Sequence, residues 1–316
     1  MEYYSVYEFV ADYKFGQLSR REMMSRVLHI AGGVASAASM LSLMGCGGAT
    51  APASSVAPGS SAAASAAAAP KSPISVAAND PAIDGKDVTF QGNGATLMAY
   101  EVRPKNAAGP LPVVMICHEN MGLVEHIRDV TRRFAKEGYL ATALDLLSRD
   151  GGTAKVAAAD ASKIPSMLSA PEAVTRGVAD FAAMADYYAR QSSARGDRIG
   201  LNGYCFGGGV VWRSIEAIST LKAAAPWYGA PPPLDKVNDI KAALLGVYSS
   251  DPQDFANANR DKLEEALKTA SVTYQFKIYP GTQHAFNNDT SPRYNQQQAL
   301  TAWKDTLDWF AKYLKA

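Results

Sequence analysis

The sequence is poor in the residues that build metal and disulfide scaffolds. Its 316 residues hold 3 cysteines and 4 histidines. Cys46, Cys117 and Cys205 are too few for a disulfide framework. His29, His118, His126 and His284 include no close pair matched by a pair of cysteines, which argues against a zinc-finger site. Net charge is also nearly absent, because 31 Lys and Arg against 30 Asp and Glu leave +1. A nucleic-acid binder carries a marked basic excess, so no nucleic-acid partner is expected. What is present suits a globular, enzyme-sized domain: 47% of residues are hydrophobic and 19% charged, with 25 Gly and 17 Pro spread along the chain.

The first 46 residues read as an export signal. Arg20 and Arg21 precede a weakly apolar stretch from Val27 to Met44. That stretch contains Gly32, Gly33 and several Ala and Ser, so it is less apolar and slightly shorter than a membrane-spanning helix. The arginine pair resembles the twin-arginine signal of bacterial proteins exported folded, and implies the twin-arginine machinery as a partner. Leu43-Met44-Gly45-Cys46 resembles a lipobox, in which Cys46 is lipidated and anchors the chain on the periplasmic side of a bacterial membrane. The alternative is cleavage nearby and a periplasmic product without an anchor. Residues 47–73 are almost entirely Ala, Ser, Gly, Pro and Thr, with too little apolar bulk to offset their ordering entropy. Residues 47–77 are therefore expected to be a flexible tether, and 78–316 the folded domain.

Strand and helix signals alternate through that domain. Val88–Phe90 and Leu97–Val102 read as strands joined at Gly92-Asn93-Gly94. Val113–Cys117 is a continuous apolar run of the kind found in buried parallel strands. Val124–Lys136 has helical spacing, with Gly138 as its C-terminal cap. Tyr139–Leu144 is another buried strand. Ser169 and Glu172 form a capping-box pattern ahead of a helix with Val174, Val178, Phe181, Ala185 and Tyr188 on one face. Later strands are expected at 198–201, 223–225, 244–248 and 272–279. A last helix should carry Leu300, Trp303, Leu307, Phe310 and Leu314. This alternation predicts an α/β fold, a mostly parallel sheet with helices on both faces.

The sharpest chemical signal is Gly203-Tyr204-Cys205-Phe206-Gly207, directly after a strand. A nucleophile between glycines at a strand-to-helix turn is the elbow arrangement, here with cysteine. The following helix points its N-terminus at the thiol and favours thiolate. The Phe206 backbone N–H is then placed to hold an oxyanion. His284 follows a strand and lies after Cys205 in the chain, as a general base should in the order nucleophile, acid, histidine. The acid falls in Val247–Asp254. Counting from the strand favours Asp251, and counting back from the next helix favours Asp254. The loop after the strand at 223–225 carries Trp227 and Tyr228, which read equally well as an apolar substrate wall or as packing. Cys117 reads as a small core residue, with pairing to Cys205 in an oxidising compartment as the alternative.

Taken together, Gly203-Tyr204-Cys205-Phe206-Gly207-Gly208, His118-Glu119-Asn120-Met121-Gly122, Asp145–Arg149 and the stretch from Tyr279 to Phe286 resemble the dienelactone hydrolase family over about residues 85–314. The resemblance implies an α/β-hydrolase fold and a Cys–His–Asp triad at Cys205, His284 and either Asp251 or Asp254. It also implies that Glu119 helps deprotonate the thiol, and that the Asn120 N–H is the second oxyanion donor. Family members hold a substrate carboxylate with two arginines. Arg149 matches one of these, but Asn288 stands at the other, and an amide is no substitute for a guanidinium clamp. The expected activity is hydrolysis of a small-molecule ester or lactone, as in a carboxymethylenebutenolidase. The alternatives are an esterase or thioesterase for a neutral acyl group, and a non-catalytic exported binding lipoprotein. No metal or cofactor is implied.

Overall fold

The long apolar runs become the centre of one sheet in the computed structural model, which describes Arg21, Met23, Met24 and residues 72–316. The chain divides into two units, Met1–Pro70 and Lys71–Ala316. In the first, Arg21, Met23 and Met24 are helical. The rest of the expected export signal, with Cys46, and the tether up to residue 71 lie outside the described residues.

The second unit is built on eight strands. They are β1 (Ile83–Gly92), β2 (Ala95–Pro104), β3 (Leu111–Cys117), β4 (Leu140–Asp145), β5 (Ala194–Tyr204), β6 (Ala223–Trp227), β7 (Ala243–Ser249) and β8 (Tyr274–Tyr279). Their spatial order is β1-β2-β4-β3-β5-β6-β7-β8. β1 pairs antiparallel with β2, and β2 antiparallel with β4; every later pairing is parallel. The β1–β2 hairpin turns at Asn93 and Gly94, both at positive φ (47° and 70°), the conformation a two-residue hairpin requires. Every residue of β4, β6 and β7 is buried, as central strands covered on both faces should be.

Seven α-helices accompany these strands among the described residues: α1 (Glu125–Lys136), α2 (Thr153–Asp160), α3 (Ile164–Ser169), α4 (Pro171–Ala189), α5 (Phe206–Ala217), α6 (Arg260–Thr269) and α7 (Gln296–Phe310). The α1 helix stops where Gly138, at φ 87°, follows its last turn.

Two expectations are corrected. The capping box does not form: Ser169 closes α3, Ala170 is the N-cap of α4 with no side-chain bond, and Pro171 occupies the first turn. Proline is preorganised for that position, so the helix starts there without a capping hydroxyl. The buried faces also differ. Val178, Leu300 and Leu307 are only half-buried. In α4, Gly177, Asp180 and Met184 join Val174, Phe181, Ala185 and Tyr188 inside. In α7, Ala299, Ala302, Thr306 and Trp309 join Trp303 and Phe310.

The topology delivers loops to one edge. The C-terminal ends of parallel strands β3, β5, β6, β7 and β8 open on the same side of the sheet, where ligands bind in open α/β sheets. These ends carry Glu119, Cys205, Tyr228, Asp254 and His284.

Candidate active site

Cys205 lies between the last residue of β5 and the first of α5, at φ 58° and ψ −120°. A cysteine at positive φ is strained, and such strain persists only where the surroundings fix it. Here they do. The Cys205 N–H donates to the Trp227 carbonyl at 3.0 Å. A Cβ on Gly207 would come within 2.5 Å of the Cys117 carbonyl oxygen, so the first turn of α5 packs directly on the end of β3. Phe206 is the first residue of α5, so its N–H has no acceptor within the helix.

His284 is buried in the loop after β8, and its Nδ1 lies 3.0 Å from Asp254 Oδ1. Asp254 accepts further bonds from the Ala256 N–H at 3.0 Å and from Ser249 Oγ at 2.6 Å. Three donors thus satisfy a fully buried carboxylate. An Nδ1–H given to the carboxylate fixes the tautomer in which Nε2 carries the lone pair. Asp251 is turned elsewhere: its Oδ1 accepts the Gln253 N–H at 2.9 Å in a local turn. Of the two aspartates, Asp254 meets the histidine.

Glu119 follows β3 and is 8% exposed. Its Oε2 accepts Asn288 Nδ2 at 2.7 Å, while Oε1 is buried without a hydrogen-bond partner among the described residues. Asn288 is therefore in the site, but it faces the glutamate. The loop carrying Glu119 and Asn120 is held by His118, whose Nδ1 lies 2.7 Å from the Glu119 carbonyl and whose Nε2 accepts the Leu146 N–H at 3.2 Å. Burial pushes His118 below the usual histidine range, against the pull of Asp145. Asp145 holds the same loop through Thr153, whose Oγ1 in turn accepts the Leu123 N–H.

Arg149 is committed to the scaffold. Its Nη1 meets Asp180 Oδ2 at 2.5 Å, and its Nη2 donates to Asp180 Oδ1 and the Asn93 carbonyl. Arg149 and Phe206 nevertheless line one cavity, together with Leu147, Leu168 and Arg176.

Trp227 and Tyr228 are both fully buried. They stack among Tyr204 and Phe286, and the Tyr228 ring centroid is 5.0 Å from His284. They back the histidine as packing. Cys117 is buried at the end of β3, and burial raises its thiol well above the usual range. No disulfide joins it to Cys205.

Ser249 and His118 were not assigned roles from the sequence. A serine that closes a strand five residues before a candidate acid is a weak signal. His118 sits inside a recognised motif, but its role depends on the β4 end, 28 residues away.

Known proteins match this chain in sequence and fold. The family model described as the dienelactone hydrolase family matches residues 97–314. A Salmonella typhi protein provisionally named carboxymethylenebutenolidase is 34% identical over 259 residues, covering 77% of this chain and 93% of its own. An Escherichia coli K12 protein with the same provisional name is 33% identical over the same shares. A crystal structure from Klebsiella pneumoniae, provisionally named a dienelactone hydrolase, aligns with a TM-score of 0.66 at 33% identity. It covers 73% of this chain and all of that one. This chain belongs to the dienelactone hydrolase family.

Proposed function

We propose that this family hydrolase cleaves an ester or lactone of a small molecule by covalent catalysis at Cys205. The observation that carries the reading is the strained Cys205 backbone at the head of α5, with a buried His284–Asp254 pair at the same C-terminal edge of the sheet. His284 Nε2 takes the thiol proton, assisted by the Glu119 carboxylate facing the same space. The thiolate sulfur forms a bond to the carbonyl carbon, and the Phe206 and Asn120 N–H groups hold the resulting oxyanion. Collapse breaks the C–O bond, and the alkoxide leaves with the proton from His284. Water then attacks the thioester carbonyl while giving its proton to His284. The sulfur departs, and the acid is released. Asp254 keeps the imidazole in the working tautomer.

One observation favours a neutral acyl substrate over a carboxylate. Asn288 bonds Glu119, and Arg149 is occupied by Asp180, so the two-arginine clamp has no counterpart at these positions. Hydrolysis of dienelactone and of neutral esters, lactones and thioesters by the full chain tests both points, with Cys205→Ala as control. Turnover on neutral substrates that is lost in Cys205→Ala is the expected result. No turnover, with Cys205 silent toward a thiolate-selective reagent, would favour a binding protein instead.

The sequence supports a location for this activity. Arg20-Arg21, the weakly apolar run and Leu43–Cys46 suit twin-arginine export and lipidation at Cys46, with the domain on the periplasmic side of a bacterial membrane. Fatty-acid labelling that disappears in Cys46→Ser is the expected result, and a wild-type chain without label overturns it.

A further inference from the structure

A second polar cluster lies outside the reacting groups. Asp289 is 4% exposed and directly follows Asn288. Its Oδ1 lies 2.9 Å from His126 Nδ1, and its Oδ2 accepts Arg133 Nη2 at 2.9 Å and the Ser72 backbone N–H at 2.8 Å. Arg133 also pairs with Asp129. Asp129 accepts the Val76 N–H at 2.7 Å and Ser75 Oγ at 2.5 Å. Arg132 Nε donates to the Val76 carbonyl at 2.6 Å. Burial alone would raise the Asp289 carboxyl; His126, the Ser72 N–H and Arg133 outweigh it and hold the group well below the usual carboxylate range.

Residues 72–76 are thus strapped onto α1 and onto the loop after β8. That loop runs from 280 to 295 and carries both His284 and Asp289. Between them the Asn288 N–H donates to the Ala285 carbonyl, while its side chain donates to Glu119. Asn288 directly precedes Asp289, so the fixed point at Asp289 sets where the Asn288 amide stands. The Asn288 amide in turn donates to Glu119 Oε2, while Oε1 is buried without a hydrogen-bond partner among the described residues.

We propose that Asp289 is a positioning residue, and that the 72–76 strap is coupled through Asp289 and Asn288 to Glu119 and hence to the reactivity of Cys205. The inference rests on the Cys205 hydrolase reading for its functional part alone. A pull on the chain preceding Ser72 would reach Asp289 first through the Ser72 main-chain hydrogen bond, which makes the activity sensitive to how that chain is held.

The test uses the full chain as wild type, Asp289→Asn and Ser72→Pro. The proline removes one N–H donor and leaves every residue of the site intact. Hydrogen exchange of the peptides covering 117–121 and 284–291 reads the coupling. Iodoacetamide alkylation of Cys205 across neutral pH, corrected with Cys205→Ala, reads its effect on the thiol. Both variants are expected to raise exchange at 117–121 as well as at 284–291. Both should slow alkylation at neutral pH by about threefold, a change that reports a smaller thiolate fraction. Adding Asn288→Ala should remove any further effect of Ser72→Pro, because the path then has no link.

Exchange raised only beside residue 72, with 117–121 unchanged, would overturn the proposal whatever the turnover. Additive effects in the Ser72→Pro/Asn288→Ala double variant would also overturn it. Full ester turnover by Cys205→Ala would instead overturn Cys205 as the nucleophile, and the exchange result would still decide the coupling.

Discussion

The turn at Cys205 and the turn at His284 lie at one edge of the sheet, but different forces hold them. The elbow is fixed by backbone packed on backbone, where Gly207 rests on the end of β3 and Gly208 on the residues after β6. The His284 loop is fixed by side chains, with Asp254 holding His284 and, five residues on, His126 and Arg133 holding Asp289. Excluded volume has no pH dependence and leaves no room for adjustment. Hydrogen bonds and charges can be weakened stepwise. The first region should fail abruptly, and the second by degrees.

The sharpest way to break the contrast is Gly207→Ala. The new methyl meets the Cys117 and His118 carbonyl oxygens, neither of which is a flexible tip. Overpacking of this kind costs about 3 kcal/mol, and backbone groups make it worse. Loss of folded protein, or a large fall in Tm with no turnover, is expected. Near-wild-type Tm would show that the elbow tolerates movement.

Next in size is Asp254→Asn beside Asp251→Asn. The first leaves His284 without its carboxylate and should lower kcat by about 10²- to 10⁴-fold with little change in KM. The second removes only a turn bond to Gln253 and should change kcat by less than about threefold. Equal mild losses would refute Asp254 as the residue that orients the histidine.

Asp289→Asn probes the second anchor of the loop through pH. The folded carboxyl is held below its unfolded value, so its contribution to stability is present above about pH 4 and fades as pH falls. Wild type should be the more stable by about 1–3 kcal/mol at neutral pH, and the two denaturation curves should converge in acid. A gap that is constant with pH would mean that the charge is not what anchors the loop.

The smallest effect is expected from Arg149→Gln. Arg149 is partly exposed and Asp180 keeps the Asn93 Nδ2 donor, so stability should drop by about 1–2 kcal/mol in urea denaturation.

The part held by backbone was also the more legible in sequence. Continuous apolar runs gave the central strands, and glycines around a cysteine after a strand marked the elbow. The side-chain part was legible only in its residue types. Asp251 and Asp254 differ by which one closes a local turn, and spacing does not encode that. The start of α4 was misread because a serine and a glutamate at capping distance carry no register of their own, whereas Pro171 does. The strap was read as tether from its composition, because its bonds are made largely by main-chain groups to partners 53 to 217 positions away. One signal is present: His126, Asp129 and Arg133 share one face of α1 and are all buried, and charges placed inward need partners.

The bond from Ser72 to Asp289 is made by a peptide N–H and owes nothing to the serine side chain. Across related chains, position 72 should therefore tolerate exchange among small residues that fit its buried place while excluding proline, and Asp289 should stay fixed. A constraint of that kind is nearly invisible to a column-by-column comparison: one partner looks dispensable, and the other looks like an isolated acid with no reason to persist.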